Sequence, residues 1–100
     1  MKILFDWDPV KAASNLRKHK VGFATASRVF ADPLRMTALD RVVDGEIRWR
    51  TIGIVEGFVP LVVAHTWQEK DDGTGIIRII SARRAGREER RRYEEENGEI

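Results

Sequence analysis

The 100-residue sequence contains no cysteine, which excludes both a disulfide scaffold and a thiolate metal site. It also lacks an apolar run near the roughly 20 residues that span a bilayer, and its first residues do not resemble a signal peptide. The 42% hydrophobic and 34% charged residues are typical of a globular chain, not of a disordered or fibrous one. We therefore expect one domain over residues 1–100, located in the cytoplasm and without a membrane segment.

Net charge is also small, because 18 lysines and arginines are opposed by 16 aspartates and glutamates. The positive charges are nevertheless concentrated in two segments. Residues 10–20 are basic and contain no acid, and residues 76–93 contain seven arginines but only two glutamates. If the fold brings these segments together, they form a site for an anionic group such as phosphate. Two solvated helix faces are the alternative explanation.

The first third of the chain predicts one short strand and two helices. Residues 2–6 favour a strand, and Asp8 followed by Pro9 is typical of a helix start. This helix should end near His19 and bury a stripe of small and apolar residues, namely Pro9, Ala12, Ala13 and Leu16. Its opposite stripe, facing solvent, contains Lys11, Asn15 and Lys18. A second short helix is predicted over residues 23–32, ending at Asp32-Pro33.

The rest of the chain predicts four strands and a final helix. Residues 34–43 and 46–54 form a hairpin around the strong turn signal Asp44-Gly45. Strands over 58–67 and 76–82, preceded by a turn at Glu56-Gly57, are apolar almost throughout, as in the middle of a sheet. Residues 85–96 are typical of a helix, although they contain few apolar side chains that could be buried. We predict an α+β fold in which two N-terminal helices pack on one face of a twisted, mainly antiparallel sheet, with a C-terminal helix and the other face partly open.

Several kinds of catalytic site find no support in the sequence. Gly73 and Gly75 lie in a predicted hairpin, unlike the glycines of a phosphate-binding loop. Neither His19 nor His65 has a histidine or carboxylate at ligand spacing, so we expect no metal site and no cofactor. The serines lack the context of a nucleophile elbow.

The remaining basic residues, with few acids near them in sequence, suit cleavage of RNA without a metal ion. Such cleavage needs proton transfer, which His19 could supply, and stabilisation of a negatively charged phosphate, which Arg78 and Arg83 could supply. Each residue has a structural alternative. His19 could cap its helix, Arg78 could pair with Glu46 or another strand acid, and Arg83 could bind a loop carbonyl. A nucleic-acid-binding module without catalysis, or a purely structural partner-binding domain, therefore remains open.

The chain resembles the BrnT family of type II toxins over nearly its whole length. The first half carries the resemblance in Phe5-Asp6-Trp7-Asp8-Pro9, Lys11, Asn15, Lys18-His19, Val21, Phe23, Ala26, Val29-Phe30 and Asp32-Pro33. The second half carries it in Arg48-Trp49, Ile52-Gly53, the string Ile77-Arg78-Ile79-Ile80-Ser81-Ala82-Arg83, Ala85, Glu89 and Tyr93. Two departures are Lys20, where the family usually has glycine, and Trp67-Gln68, where many members have a charged residue.

The resemblance implies a RelE-like ribonuclease fold and a toxin that cleaves RNA and arrests translation. It also implies a BrnA-like antitoxin, which forms a heterotetramer of two toxins and two antitoxins and carries the contact with operator DNA. By position, the implied catalytic residues are His19, Arg78 and Arg83. The implied RNA-binding residues are Lys18, Arg48, Arg50 and Tyr93.

Overall fold

The computed structural model describes residues 2–56 and 59–97. In chain order the elements are β1 (Ile3–Asp6), α1 (Pro9–His19), α2 (Phe23–Ser27), a 3₁₀ turn (Arg28–Ala31), β2 (Met36–Val43), β3 (Glu46–Gly53), β4 (Leu61–Glu69), β5 (Gly75–Arg84) and α3 (Arg87–Glu96). Gly57 of the predicted turn and the predicted strand start at Phe58 lie outside the described residues. Within the described ranges, no helix is long and apolar enough to cross a membrane.

The five strands form one sheet in the order β1-β5-β4-β3-β2. β1 pairs in parallel with β5, and the other three pairings are antiparallel. Asp44 and Gly45, which join β2 to β3, have φ angles of 49° and 81°. Positive φ at both positions is what a tight two-residue hairpin requires. The α+β class, the mainly antiparallel sheet and the C-terminal helix are therefore confirmed.

β5 has one residue more than the β4 segment that it faces. Ser81 pairs with Ala64 and Ile79 pairs with His65, so Ile80 has no partner on β4. Such a bulge shifts the alternation of side chains by one position. Residues of β5 on the two sides of Ile80 therefore share a face when their residue numbers differ by an odd number.

The main core lies on one face of the sheet, which we call the helix face. There, α2 and the 3₁₀ turn contribute buried apolar side chains that cluster with buried residues of β4 and β5, including Phe23, Ala26, Val29, Leu61, Val63 and Ile79. Trp7 packs edge-on against Phe23, with ring centroids 6.0 Å apart. On the opposite face, Tyr93 of α3 packs against Ile52 and Val62. The second helix is shorter than predicted, because the 3₁₀ turn replaces its last turn.

The predicted orientation of α1 is only partly right: Ala12 packs against the core, but Pro9, Ala13 and Leu16 of the expected core stripe are exposed. Leu16 of the expected core stripe is 51% exposed, whereas Asn15 of the expected solvent stripe is only 7% exposed. The Asn15 amide donates hydrogen bonds to the carbonyls of Val21 (3.0 Å) and Ala82 (2.8 Å) and accepts one from the Ala82 N–H (3.1 Å). Because β1 pairs with β5 only as far as Arg78, Ala82 lacks a neighbouring strand on that side. Asn15 satisfies these backbone groups, so a polar contact orients the helix.

Candidate functional site

The four arginines selected from the sequence lie on the same face of the sheet, opposite the helix face. Arg83, Arg50 and Arg78 are paired or aligned with Val62, Ala64 and Thr66, which alternate along β4 and therefore point the same way. Arg48 lies two residues from Arg50 on β3 and shares its face. We call this surface the arginine face, and its arginines are Arg48, Arg50, Arg78 and Arg83.

Every arginine of this face has an acidic neighbour. The ion pairs are Arg48–Glu46 (3.7 Å), Arg50–Asp40 (3.6 Å), Arg78–Asp6 (2.6 Å) and Arg83–Glu89 (2.7 Å). Asp6 is far from Arg78 in sequence, whereas the other three acids lie within ten residues of their arginines. The expectation of a site with few acids is therefore wrong. The alternative of an ion pair with a strand acid is realised for Arg78, although the acid is Asp6 and not Glu46. All four pairs are partly exposed and therefore stabilise the fold only weakly.

The Arg83–Glu89 pair has the best geometry. Nη1 and Nη2 of Arg83 donate to the two carboxylate oxygens at 2.7 and 2.8 Å, and Nη1 also reaches the Arg84 carbonyl at 3.2 Å. The hydrogen bonds from Arg83, together with the Gly86 N–H, lower the pKa of Glu89 to about 2. The same pairing raises the pKa of Arg83. A bidentate contact of this kind fixes the orientation of the guanidinium group.

Arg50 and Arg83 belong to one charged cluster. Asp40, which pairs with Arg50, also contributes to the raised pKa of Arg83, and Arg50 contributes to the lowered pKa of Glu89. Two guanidinium groups and two carboxylates therefore interact beside the start of α3. An anion that binds here meets two arginines whose positions are already restricted.

Arg78 lies at a different level of the sheet. Arg83 is five positions further along β5, which is roughly 15 Å on a strand that rises about 3.3 Å per residue. Arg78 is level with Arg48, with β4 between them, at a spacing of about 10 Å across two strand intervals. The two levels therefore suit separate, non-adjacent phosphates of one nucleic-acid strand better than a single phosphate.

The structure places Lys18 and His19 on the last turn of α1. This helix advances along β5 from the level of Arg78 to that of Ala82, where Asn15 binds. His19, one turn beyond Asn15 on the same side of the helix, is half-buried, whereas Lys18 is exposed. In the part of the chain that the structure describes, no side-chain hydrogen bond or ion pair joins His19 to the arginines.

Tyr93 has a packing role in this structure. It is 3% exposed, and its hydroxyl donates to Asp32 at 2.5 Å. Burial by itself raises the pKa of Asp32, but the hydrogen bonds from Tyr93 and from the Ile54 and Leu34 N–H groups outweigh it and lower the pKa. A direct contact between Tyr93 and RNA would therefore require α3 to move.

His65, which the sequence analysis did not select, lies on the helix face away from the arginines. It is 4% exposed, its Nε2 lies 2.7 Å from the Thr51 hydroxyl, and burial lowers its pKa. Its position within an apolar run was the sequence signal for this burial. Over residues 2–56 and 59–97, no three histidine, aspartate or glutamate side chains are grouped to hold a metal ion.

Comparisons with known proteins agree with the sequence motifs. The family model described as "Ribonuclease toxin, BrnT, of type II toxin-antitoxin system" matches residues 7–89. Among solved structures, the 1.1 Å crystal structure of the Brucella abortus ribonuclease toxin BrnT is similar, with a TM-score of 0.59 and 20% identity over 87% of this chain and 100% of that chain. This likeness concerns the fold alone. No curated protein sequence matches the chain. The family match includes the arginine face, His19 and Glu89, but it ends before Tyr93.

Proposed function

The chain belongs to the BrnT family of ribonuclease toxins from type II toxin-antitoxin systems, and from this premise we propose that it is an endoribonuclease that cleaves RNA without a metal ion and arrests translation. The arginine face carries the proposal. It combines four guanidinium groups on one side of the sheet, at two levels that suit separate phosphates of one RNA strand. Phosphate binding and stabilisation of a phosphorane use the same kind of side chain.

The proposed reaction begins with removal of a proton from a ribose 2'-hydroxyl. The resulting oxygen forms a bond to the adjacent phosphorus, which gives a pentavalent intermediate with additional negative charge. The bond from phosphorus to the 5'-oxygen then breaks, and this oxygen receives a proton. The products are a 2',3'-cyclic phosphate and a 5'-hydroxyl, so one proton is taken up and one is released.

Arg83 is the residue that we propose to stabilise the phosphorane. A guanidinium group has five N–H donors, and Glu89 and the Arg84 carbonyl use three of those on Arg83. The Nε–H and one Nη2–H remain, and no acceptor among the described residues takes them. They form the second fork of the guanidinium group, which matches two phosphate oxygens. Glu89 thus positions Arg83 without blocking it.

The other predicted residues support this centre. Arg78 is proposed to contribute positive charge at another phosphate of the same strand, and His19 to transfer a proton as acid or base. Lys18, Arg48 and Arg50 are proposed to bind the RNA backbone. Tyr93 would contribute to RNA binding only if α3 moves.

The remaining parts of the proposal concern the setting of the reaction. We propose a BrnA-like antitoxin as the neutralising partner, in a complex of two toxins and two antitoxins in which the antitoxin contacts operator DNA. The wider relationship is to RelE-like ribonucleases, and the place of action is the cytoplasm. Growth arrest on expression of the chain alone, relieved by coexpression of the antitoxin, is the expected result in cells.

The mechanism is tested with purified, antitoxin-free protein and a defined RNA in excess EDTA. Cleavage should continue under chelation and leave 2',3'-cyclic phosphate or 3'-phosphate ends. Arg83→Ala should lower the rate by about 10² to 10³, since it removes a positioned donor, and His19→Ala by about 10² to 10⁴. Arg78→Ala should also lower it, whereas the exposed neighbour variant Arg84→Ala should retain most activity.

Substrate analogues separate the proposal from its alternatives. DNA, or RNA with a 2'-methoxy group at the cleaved position, should compete for binding but remain intact. Binding should weaken with salt by a log-log slope of about 0.7 per neutralised phosphate. Cleavage that stops with EDTA and returns with magnesium would contradict the metal-free mechanism. Salt-sensitive binding without cleavage would instead identify a nucleic-acid-binding module.

A further inference from the structure

A pocket opens on the arginine face between α3 and the strands β2 and β3. It has a volume of about 310 Å³ and is lined by Met36, Thr37, Ala38, Arg50, Ile52, Val62, Glu89, Arg92 and Glu96. Small-molecule sites usually span about 300 to 1,000 Å³. The pocket is therefore large enough for one planar ring system and its sugar, but not for an extended oligonucleotide.

The lining of the pocket has two parts. The floor is apolar, because Ile52 and Val62 are buried and Met36 packs beside them. The walls carry two partly exposed arginines, Arg50 from β3 and Arg92 from α3. An apolar floor with guanidinium planes beside it is the environment in which nucleobases stack.

The pocket is continuous with the proposed phosphate site. Glu89 lines the pocket and forms the bidentate pair with Arg83, and Arg50 belongs to both. A phosphate on the free fork of Arg83 would therefore hold the attached nucleoside at the mouth of the pocket. The positive charge that would bind the RNA backbone therefore lies beside the apolar pocket that would hold the nucleobase.

We propose that this pocket binds the nucleobase next to the phosphate held by Arg83, and that it sets the base preference of cleavage. The proposal rests on the proposed ribonuclease function. Glu96 supplies the discrimination, because an ionised carboxylate only accepts hydrogen bonds. Both oxygens of Glu89 already bind Arg83, whereas Glu96 makes no ion pair within the described ranges. A base with an amino group is therefore favoured over uracil, whose one donor on that edge, N3–H, lies between two carbonyl oxygens that a carboxylate repels.

The first test measures cleavage of DNA oligonucleotides that contain a single ribonucleotide, which restricts cleavage to one bond. One series varies the base of the ribonucleotide, and a second varies the base that follows it. We expect at least a tenfold range of kcat/KM in one series, with uracil the slowest. Arg92→Ala should reduce this range to less than threefold, whereas Arg90→Ala, which makes the same charge change on the same helix outside the pocket, should preserve it.

A second pair of variants tests the volume of the pocket and leaves its charges unchanged. Ala38→Phe, at an exposed position on β2, should fill the pocket and abolish the base preference, while Leu39→Phe on the opposite face of that strand should not. Equal rates for all four bases in both series would overturn the proposal. So would a preference that survives both Arg92→Ala and Ala38→Phe, or one that the control variants also abolish.

Binding of nucleoside 3'-monophosphates, followed by NMR, distinguishes failure of this proposal from failure of the ribonuclease function. We expect amide shifts at Ala38, Ile52 and Val62, and loss of those shifts in Ala38→Phe. Nucleotide binding there without any RNA cleavage would retain the base site and reject the ribonuclease function. Cleavage without nucleotide shifts at these residues would retain the ribonuclease function and reject the base site.

Discussion

Replacing Asn15 is expected to cost much of the stability of the domain. The side chain makes three hydrogen bonds at a buried position, two with the backbone of Ala82 and one with Val21. Each bond contributes about 0.5 to 1.5 kcal/mol, and a buried backbone group left without a partner costs about 1 to 3 kcal/mol. Asn15→Ala should therefore lower the free energy of unfolding by about 3 kcal/mol, out of the roughly 5 to 15 kcal/mol typical of a domain.

The change is measured by urea unfolding, followed by tryptophan fluorescence and circular dichroism. For a domain of this size, 3 kcal/mol corresponds to a decrease in Tm of about 15 °C. Ser14→Ala, at the exposed preceding position, is the control and should change stability by less than about 0.5 kcal/mol. Asn15→Asp should also destabilise strongly, because it replaces two donated bonds by a charge facing two carbonyls. If Asn15→Ala lost less than about 1 kcal/mol, the idea that Asn15 replaces a missing strand neighbour would be refuted.

Two further predictions concern the helix face of the sheet. Because burial lowers the pKa of His65 below its usual 6.5, the unfolded chain binds more protons in mildly acidic solution. Stability should therefore decrease as the pH falls from about 7 toward the folded pKa, by at most about 1.4 kcal/mol per pH unit from this group. His65→Gln should remove that part of the slope in urea unfolding, and parallel pH curves for both proteins would exclude it. Gly53→Ala should cost about 1 to 3 kcal/mol, since its Cβ would lie 2.9 Å from Val29 Cγ1 and 3.1 Å from the Val29 carbonyl. Gly22→Ala, where no atom lies within 4 Å of the new Cβ, is the thermal-unfolding control, and equal effects of the two would contradict the packing argument.

Local signals in the sequence were sufficient to predict most of the helices, strands and turns. Asp8 accepts a hydrogen bond from the Val10 N–H at 2.9 Å, as expected for the residue that begins α1. Asp44-Gly45 forms the predicted turn between β2 and β3. These features depend on a few neighbouring residues, which is why the sequence alone predicts them.

Features that depend on distant residues could not be predicted in the same way. The orientation of α1 depends on where β1 stops, because only then does Ala82 need the Asn15 amide. Hydrophobic periodicity favoured Leu16 as the buried residue. It carried no information about the missing strand neighbour of Ala82. Asp6 was missed as the partner of Arg78 for the same reason, since the two are 72 positions apart in the sequence.

Because of the bulge at Ile80, the placement of Arg78 and Arg83 on one face depends on the number of residues between them. Strict alternation would place Arg78 and Arg83 on opposite faces, since their positions differ by five. The unpaired Ile80 restores them to one face. Deleting or inserting one residue between them would turn one arginine toward the core, even with every side chain of the site retained. Substituting Ile80 leaves the count unchanged. In relatives of this chain, the length of this strand segment is therefore as informative about the site as the presence of both arginines.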